Sequence, residues 1–193
     1  MNEWDDHAED WDRDPATREY AELAFASLLP ALDSHDRSLA GARVLDFGCG
    51  TGLLTDHLLT AGATVDAFDT SAGMLRVLGA KFGDRVDVRV LDDLPDGAEE
   101  YDLVVCSSVC AFLDDYPATA AALASDLRAG GVFVQWDWER HETDGGSHGL
   151  SVGQIEQALT AAGLVDVSVQ PAFRIEVGGE SVRPLIGLGR RPR

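Results

Sequence analysis

The sequence predicts an α/β fold: a single-domain, doubly wound, mostly parallel sheet of seven strands, with an antiparallel hairpin at its C-terminal edge. Three observations predict it. From Ala42 onward, short apolar runs alternate with longer segments of helical spacing. The first of these runs enters a helix through a glycine-rich turn. The last two runs are joined by a link with no full crossover helix, so an antiparallel pairing is the natural one.

The strands expected from this pattern are Arg43 to Phe47, Thr64 to Phe68, Val86 to Leu91, Leu103 to Ser107 and Val132 to Trp136, all apolar and β-branched enough for central parallel strands covered on both faces. Between them, helices are expected over Leu53 to Thr60, Ala72 to Lys81 and Ala118 to Arg128. Asp115 and Pro117 introduce the last of these and Gly130 closes it. Ser151 and Gln154 have the spacing of a capping box, opening a helix that runs through Ala162 and is ended by Gly163. Val165, Val167 and Val169 then alternate with Asp166, Ser168 and Gln170, as in a strand with one wet face, and a final strand covers Pro184 to Gly189. Ahead of the sheet, residues 1–40 carry Trp4, Trp11, Tyr20 and Phe25, with a helix from Ala16 to Leu32. That segment either pads the sheet or folds over a ligand as a lid, and residues 41–193 form the main domain.

A chain of 193 residues suits one domain, and 45% hydrophobic residues suffice for a packed core. The formal net charge of −19 comes from 34 acidic and 15 basic side chains, among which Lys81 is the one lysine. Such a surface makes polyanions poor partners, and no basic cluster precedes Arg190, Arg191 and Arg193, so nucleic acid is disfavoured as a substrate. The acidity reads as a solvated surface or, more sharply, as adaptation to high salt. The longest uncharged run, Leu103 to Leu113, is far too short to span a membrane, and the N-terminus is not signal-like, so a cytoplasmic location is expected. Cys49, Cys106 and Cys110 match no disulfide framework or paired metal spacing and are expected to be reduced and buried.

The most specific signal is Val44-Leu45-Asp46-Phe47-Gly48-Cys49-Gly50-Thr51-Gly52, a strand running into a Gly-x-Gly-x-Gly turn before a helix. Glycines let the backbone approach a ligand, and the helix start offers unpaired N–H groups. The third glycine comes one residue too early for the Gly-x-Gly-x-x-Gly dinucleotide fingerprint. Asp69, at the end of the second strand, is placed to accept hydrogen bonds from both hydroxyls of a ribose, or else to cap the next helix.

With these residues in view, the chain from about Trp4 to its end resembles the class I S-adenosylmethionine-dependent methyltransferases of the small-molecule type. Leu45 to Gly52 is similar to the family's first motif, and Phe68 to Leu75 to the segment around its ribose acid. Leu91-Asp92-Asp93-Leu94-Pro95 resembles the adenine-contacting motif. Tyr101 to Val105 and Leu127 to Gly131 are similar to the fourth strand and the turn before the fifth. The resemblance implies that Asp46 and the turn residues Gly48, Cys49, Gly50 and Gly52 hold the methionine portion of S-adenosylmethionine, and Asp69 the ribose. Asp92 would hold the adenine amino group, with Asp93 or Leu94 beside the ring, and Thr70, Met74 and Ser107 complete the cofactor set.

Methyl transfer is an in-line displacement that requires the enzyme mainly to position an acceptor, with a general base only where the acceptor must lose a proton. His141 is the candidate base, with His148 and Asp137 behind it. The two histidines lie in a polar, glycine-rich loop where surface positions are the ordinary explanation. Ala111 stands where many relatives have a histidine, and no Asn-Pro-Pro-Tyr-like tetrad follows the fourth strand. Trp136, Trp138 and the N-terminal tryptophans form either an aromatic substrate wall or part of the core. The implied activity is methylation of a small, uncharged or cationic acceptor, with no metal and no membrane partner. A non-catalytic adenosyl-binding protein with a regulatory or docking role is the alternative. A nicotinamide-dependent dehydrogenase is a third class, disfavoured by the glycine spacing.

Overall fold

The computed structural model describes residues 4–94, 100–140 and 149–193. Nine strands and five α-helices alternate among them. Seven strands form one mixed, mostly parallel sheet in the order β3-β2-β1-β4-β5-β9-β6, and β7 and β8 pair separately. The chain divides into two compact units, Met1–Asp96 and Gly97–Arg193.

In the first unit, helix α1 (Pro15–Asp33) starts where Asp14 accepts the Ala16 N–H over 2.8 Å, with Pro15 at the first helical position, where its missing N–H costs nothing. Strands β1 (Arg43–Phe47), β2 (Thr64–Phe68) and β3 (Val88–Leu91) run parallel, each residue of β1 paired in register from Arg43 with Thr64 to Phe47 with Phe68. Val44, Leu45, Val65 and Ala67 are buried, as strands covered on both faces require. Helices α2 (Leu53–Thr60) and α3 (Ala72–Phe82) connect them, α3 capped by Ser71, whose side chain accepts the Met74 N–H over 3.1 Å.

In the second unit, β4 (Tyr101–Ser107) and β5 (Leu127–Trp138) are parallel, and β9 (Pro184–Arg190) runs antiparallel to both β5 and β6 (Val165–Pro171). Helix α4 (Tyr116–Ser125) is capped by Asp115, and α5 (Val152–Ala161) carries the full Ser151–Gln154 capping box expected from the sequence. Gly187 lies so close under α5 that a Cβ there would stand 2.5 Å from Ile155 Cγ2. The link between β6 and β9 folds into its own small hairpin, β7 (Ile175–Val177) with β8 (Glu180–Val182).

Three of the boundaries that differ from those expected have a specific cause. Strand β3 begins at Val88 rather than Val86, because Val86 is fully exposed in the turn after α3 and pairing starts only where the Asp87 carbonyl accepts the Val65 N–H. Helix α4 ends at Ser125 rather than Arg128, and β5 begins at Leu127 rather than Val132. The reason is that Leu127 is wholly buried in register with Tyr101, and a Cβ at Gly131 would stand 2.9 Å from the Tyr101 carbonyl oxygen, so the two glycines belong to the strand. No helix among the described residues is long and apolar enough to cross a membrane.

Candidate cofactor site

The glycine-rich turn leads from the end of β1 into α2. Gly48, Gly50 and Gly52 all adopt left-handed backbone angles, φ 73°, 54° and 86°, which side chains with a Cβ rarely accept. The turn is tied to the end of β2: the N–H groups of Gly48 and Cys49 both donate to the Phe68 carbonyl, over 2.8 and 2.9 Å. Asp69 continues that attachment. Its Oδ2 accepts the Gly50 N–H and its Oδ1 the Ser71 N–H, each over 2.8 Å. Ser71, not Asp69, caps α3, so the capping explanation for Asp69 is corrected.

Asp46 ends beneath the turn with no exposed surface. Its Oδ2 accepts from Thr55 Oγ1 over 2.6 Å, while its Oδ1 has no hydrogen-bond partner among the described residues. Burial, reinforced by the nearby Asp69, pushes its carboxyl up to about 7, against the Thr55 hydrogen bond, which works the other way. The same burial and the same two acids hold the Cys49 thiol well above its ordinary range, so it is a poor nucleophile. All three cysteines are free and buried.

Met74 is buried with its Sδ 4.0 Å from where a Gly50 Cβ would stand, so it lies alongside the turn. Thr70 is exposed. Asp92 and Asp93 follow β3 on the exposed surface, with Leu94 half-buried. Asp46, Gly48, Cys49, Gly50, Gly52, Asp69 and Met74 thus share one corner of the unit. Sequence inspection missed Asp5, Asp12 and Lys81, which bond to this corner from as far as 68 residues away and leave no local pattern to read.

In the second unit, Ser107 ends β4 opposite Trp136, and Ser108 follows with φ 59°, held by its N–H on the Trp136 carbonyl at 2.7 Å. A non-glycine residue in that region stores about 1–2 kcal/mol. Trp136 is fully buried, so it belongs to the core and not to a substrate wall. Asp137 is also buried. Its Oδ1 accepts the Ala111 N–H over 3.0 Å and its Oδ2 accepts Gln135 Nε2 over 2.8 Å, and burial raises its carboxyl to about 7. With both oxygens engaged and no surface, it is badly placed as a base. His141 and His148 lie outside the described residues. Among the described residues, no group of His, Cys, Asp or Glu is arranged to hold a metal.

The profile of a methyltransferase domain matches residues 16–169. The chain belongs to that family. Its architecture is that of the class I, Rossmann-like methyltransferases, and its cofactor is S-adenosylmethionine. A ubiquinone biosynthesis O-methyltransferase of Marinobacter nauticus is 38% identical over 106 residues, half of this chain, and the chain spans only 44% of that relative's length. A chain in the complex of the Haloferax volcanii Trm112 methyltransferase activator with a methyltransferase has the same fold over all of this chain and 99% of its own, with a TM-score of 0.77 and 21% identity. The N-methyltransferase NodS of Bradyrhizobium japonicum, in complex with S-adenosylhomocysteine, aligns over 94% of this chain and 90% of its own, with a TM-score of 0.68 and 20% identity.

The geometry of this methyltransferase fits its cationic cofactor. Asp46 Oδ1 is a buried acceptor that finds no donor among the described residues, and an unsatisfied acceptor of that kind is costly unless a ligand donor fills it. At Gly50 the nearest atom a Cβ would meet is 4.0 Å away, so the turn leaves room for a ligand at its surface.

Proposed function

We propose that this methyltransferase moves the methyl group of S-adenosylmethionine to a small-molecule acceptor. The observation that carries the reading is Asp46 with its unpartnered Oδ1, buried under a left-handed glycine turn that Asp69 anchors.

In this reading Asp46 and the N–H groups of the turn take the methionine end. Asp69, with Thr70 beside it, takes the ribose hydroxyls through the lone pairs its two backbone bonds leave free. Met74 lies against the turn, and Asp92, Asp93 and Leu94 receive the adenine. When bound, the cofactor supplies an electrophilic methyl on a positively charged sulfur. The surrounding carboxylates offset that charge, and fixing the cofactor sets the line along which an acceptor must approach to about 3 Å. A small acceptor is supported by the O-methyltransferase name of the curated relative and by a net charge of −19, which repels polyanions.

Calorimetric titration with S-adenosylmethionine, S-adenosylhomocysteine and NADH tests the reading. Micromolar binding of the adenosyl pair alone supports it, and binding of NADH alone overturns it. A protein that binds the cofactor but turns it over with none of the small hydroxyl or amine acceptors offered would favour the non-catalytic alternative.

The full-length likeness to the Haloferax chain favours a second reading, in which a small activator protein binds this methyltransferase. Gel filtration with the Haloferax Trm112 protein tests it: co-elution supports the reading and separate elution counts against it.

A further inference from the structure

Thr51, between Gly50 and Gly52, is gripped twice. Its Oγ1 donates to Asp12 Oδ1 over 2.5 Å, and its carbonyl oxygen accepts from Lys81 Nζ over 2.8 Å. Lys81 and Asp12 form an ion pair that closes the ring. The ring joins a short 3-10 turn at Trp11–Arg13, the glycine turn and the last turn of α3, and Thr51 itself is buried. The same N-terminal segment also holds the start of α3: Asp5 Oδ1 accepts from Ser71 Oγ over 2.8 Å and from the Gly73 N–H over 3.0 Å, and Glu9 pairs with Arg76 at 2.5 Å.

The ring addresses a specific weakness of this turn. Three left-handed glycines give the free turn many conformations, and a ligand that must order them binds more weakly. Fixing the Thr51 carbonyl fixes the peptide plane it shares with Gly52, and occupying the Thr51 hydroxyl keeps that side chain off the ligand side of the turn. Lys81 is the one lysine in a chain of net charge −19, and it is spent on this contact.

We propose that Asp12 and Lys81 are positioning residues for methyl transfer, holding the glycine turn in the shape that receives the methionine end of the cofactor. The inference rests on the assignment of that turn to the cofactor made above. Neither residue touches the cofactor; both act through Thr51.

The test is titration with S-adenosylhomocysteine, read beside the melting temperature, for the wild type, Lys81→Met, Asp12→Asn and the double variant. Each single variant is expected to lose about tenfold or more in affinity, and the double variant little beyond the weaker-binding single, because the ring acts as a unit. Lys81→Arg keeps the charge and a donor and is expected to recover most of the affinity. Arg85→Met removes a cation from an exposed pair with Asp87 and is expected to bind as the wild type does. Variants that melt earlier yet bind S-adenosylhomocysteine within twofold of the wild type overturn the inference, since the ring would then only stabilise the fold. Should Lys81→Met fail to fold, Thr51→Val, which removes only the hydroxyl bond to Asp12, serves for the same comparison. A wild type that binds no S-adenosylhomocysteine overturns the cofactor assignment as well; wild-type binding with unaltered variants overturns the positioning role alone.

Discussion

Gly50 and Asp69, 19 residues apart, are joined by a 2.8 Å hydrogen bond from the Gly50 N–H to Asp69 Oδ2. The bond ties the two sequence signals most specific to the cofactor into one structure, because the acid expected to hold the ribose also sets the turn expected to hold the methionine.

Asp69→Ala should therefore remove more than a ligand contact. It frees the Gly50 and Ser71 N–H groups together. Charged hydrogen bonds are worth about 1.5–3 kcal/mol each, so cofactor affinity is expected to fall by on the order of 100-fold. Asp69→Asn keeps one acceptor and should fall less. Calorimetry on both variants checks this, and equal affinity in Asp69→Ala and wild type would remove Asp69 from the site.

Gly50 and Gly52 should respond differently to the same substitution. A Cβ at Gly52 would stand 2.9 Å from Phe82 Cε2 and 3.0 Å from Leu78 Cδ1, on a backbone with φ 86°, so Gly52→Ala is expected to cost about 1–3 kcal/mol of stability. At Gly50 the nearest neighbour, Met74 Sδ, is 4.0 Å away, and only the left-handed angle resists. Gly50→Ala should stay folded with a milder loss while weakening S-adenosylhomocysteine binding. Urea unfolding beside calorimetry separates the two, and a Gly50→Ala protein that binds normally would mean the turn does not face the ligand.

Much of this was legible in the sequence because the signals are local. The glycine turn, the apolar runs of β1 and β2 and the Ser151–Gln154 box each declare themselves within ten residues, and their boundaries hold. The end of α4 was misplaced because Leu127 and Arg128 suit a helix by propensity, and only pairing with Tyr101 makes them strand. The ring around Thr51 joins residues 39 and 30 positions from it, and the unpartnered state of Asp46 Oδ1 depends on packing; neither has a sequence pattern.

Asp46 should make both stability and binding depend on pH. Its folded carboxyl, raised to about 7 from the ordinary 3.8, keeps a proton that the unfolded chain releases. The folded state thus binds more protons between about pH 4 and 7, so stability is highest at the acid end of that window, falls as pH rises through it, and is level above it. A displacement of this size corresponds to about 4 kcal/mol. Asp46→Asn should flatten that part of the profile. A cationic amino group placed against Oδ1 favours the carboxylate, so cofactor binding near pH 7 should release a proton and tighten as pH rises. Calorimetry in phosphate and in Tris, whose ionisation enthalpies differ, reads the proton directly; identical heats would place the amino group elsewhere.

Asp137 titrates in the same window, because burial raises it to about 7 as well, yet its surroundings predict a different response to amidation. Ala111 N–H and Gln135 Nε2 donate to it, and Gln135 Oε1 accepts from the Tyr116 hydroxyl over 2.6 Å. In Asp137→Asn the new Oδ1 still accepts from Ala111, and a turned Gln135 amide offers Oε1 to the new Nδ2 and Nε2 to the Tyr116 oxygen, so of these groups the Tyr116 O–H alone loses its acceptor. That variant should lose at most about 1 kcal/mol relative to the wild type at the acid end of the window, for the Tyr116 O–H, and gain on the wild type as pH rises to 8, where the wild type must bury a charge. Asp137→Leu leaves the Ala111 N–H and the Gln135 amide unpaired and should be about 2–4 kcal/mol less stable than Asp137→Asn at both pH values. Urea unfolding at pH 5 and 8 distinguishes the cases, and an Asp137→Asn protein as unstable as Asp137→Leu at pH 8 would show that the network cannot reverse and that the carboxylate itself is required.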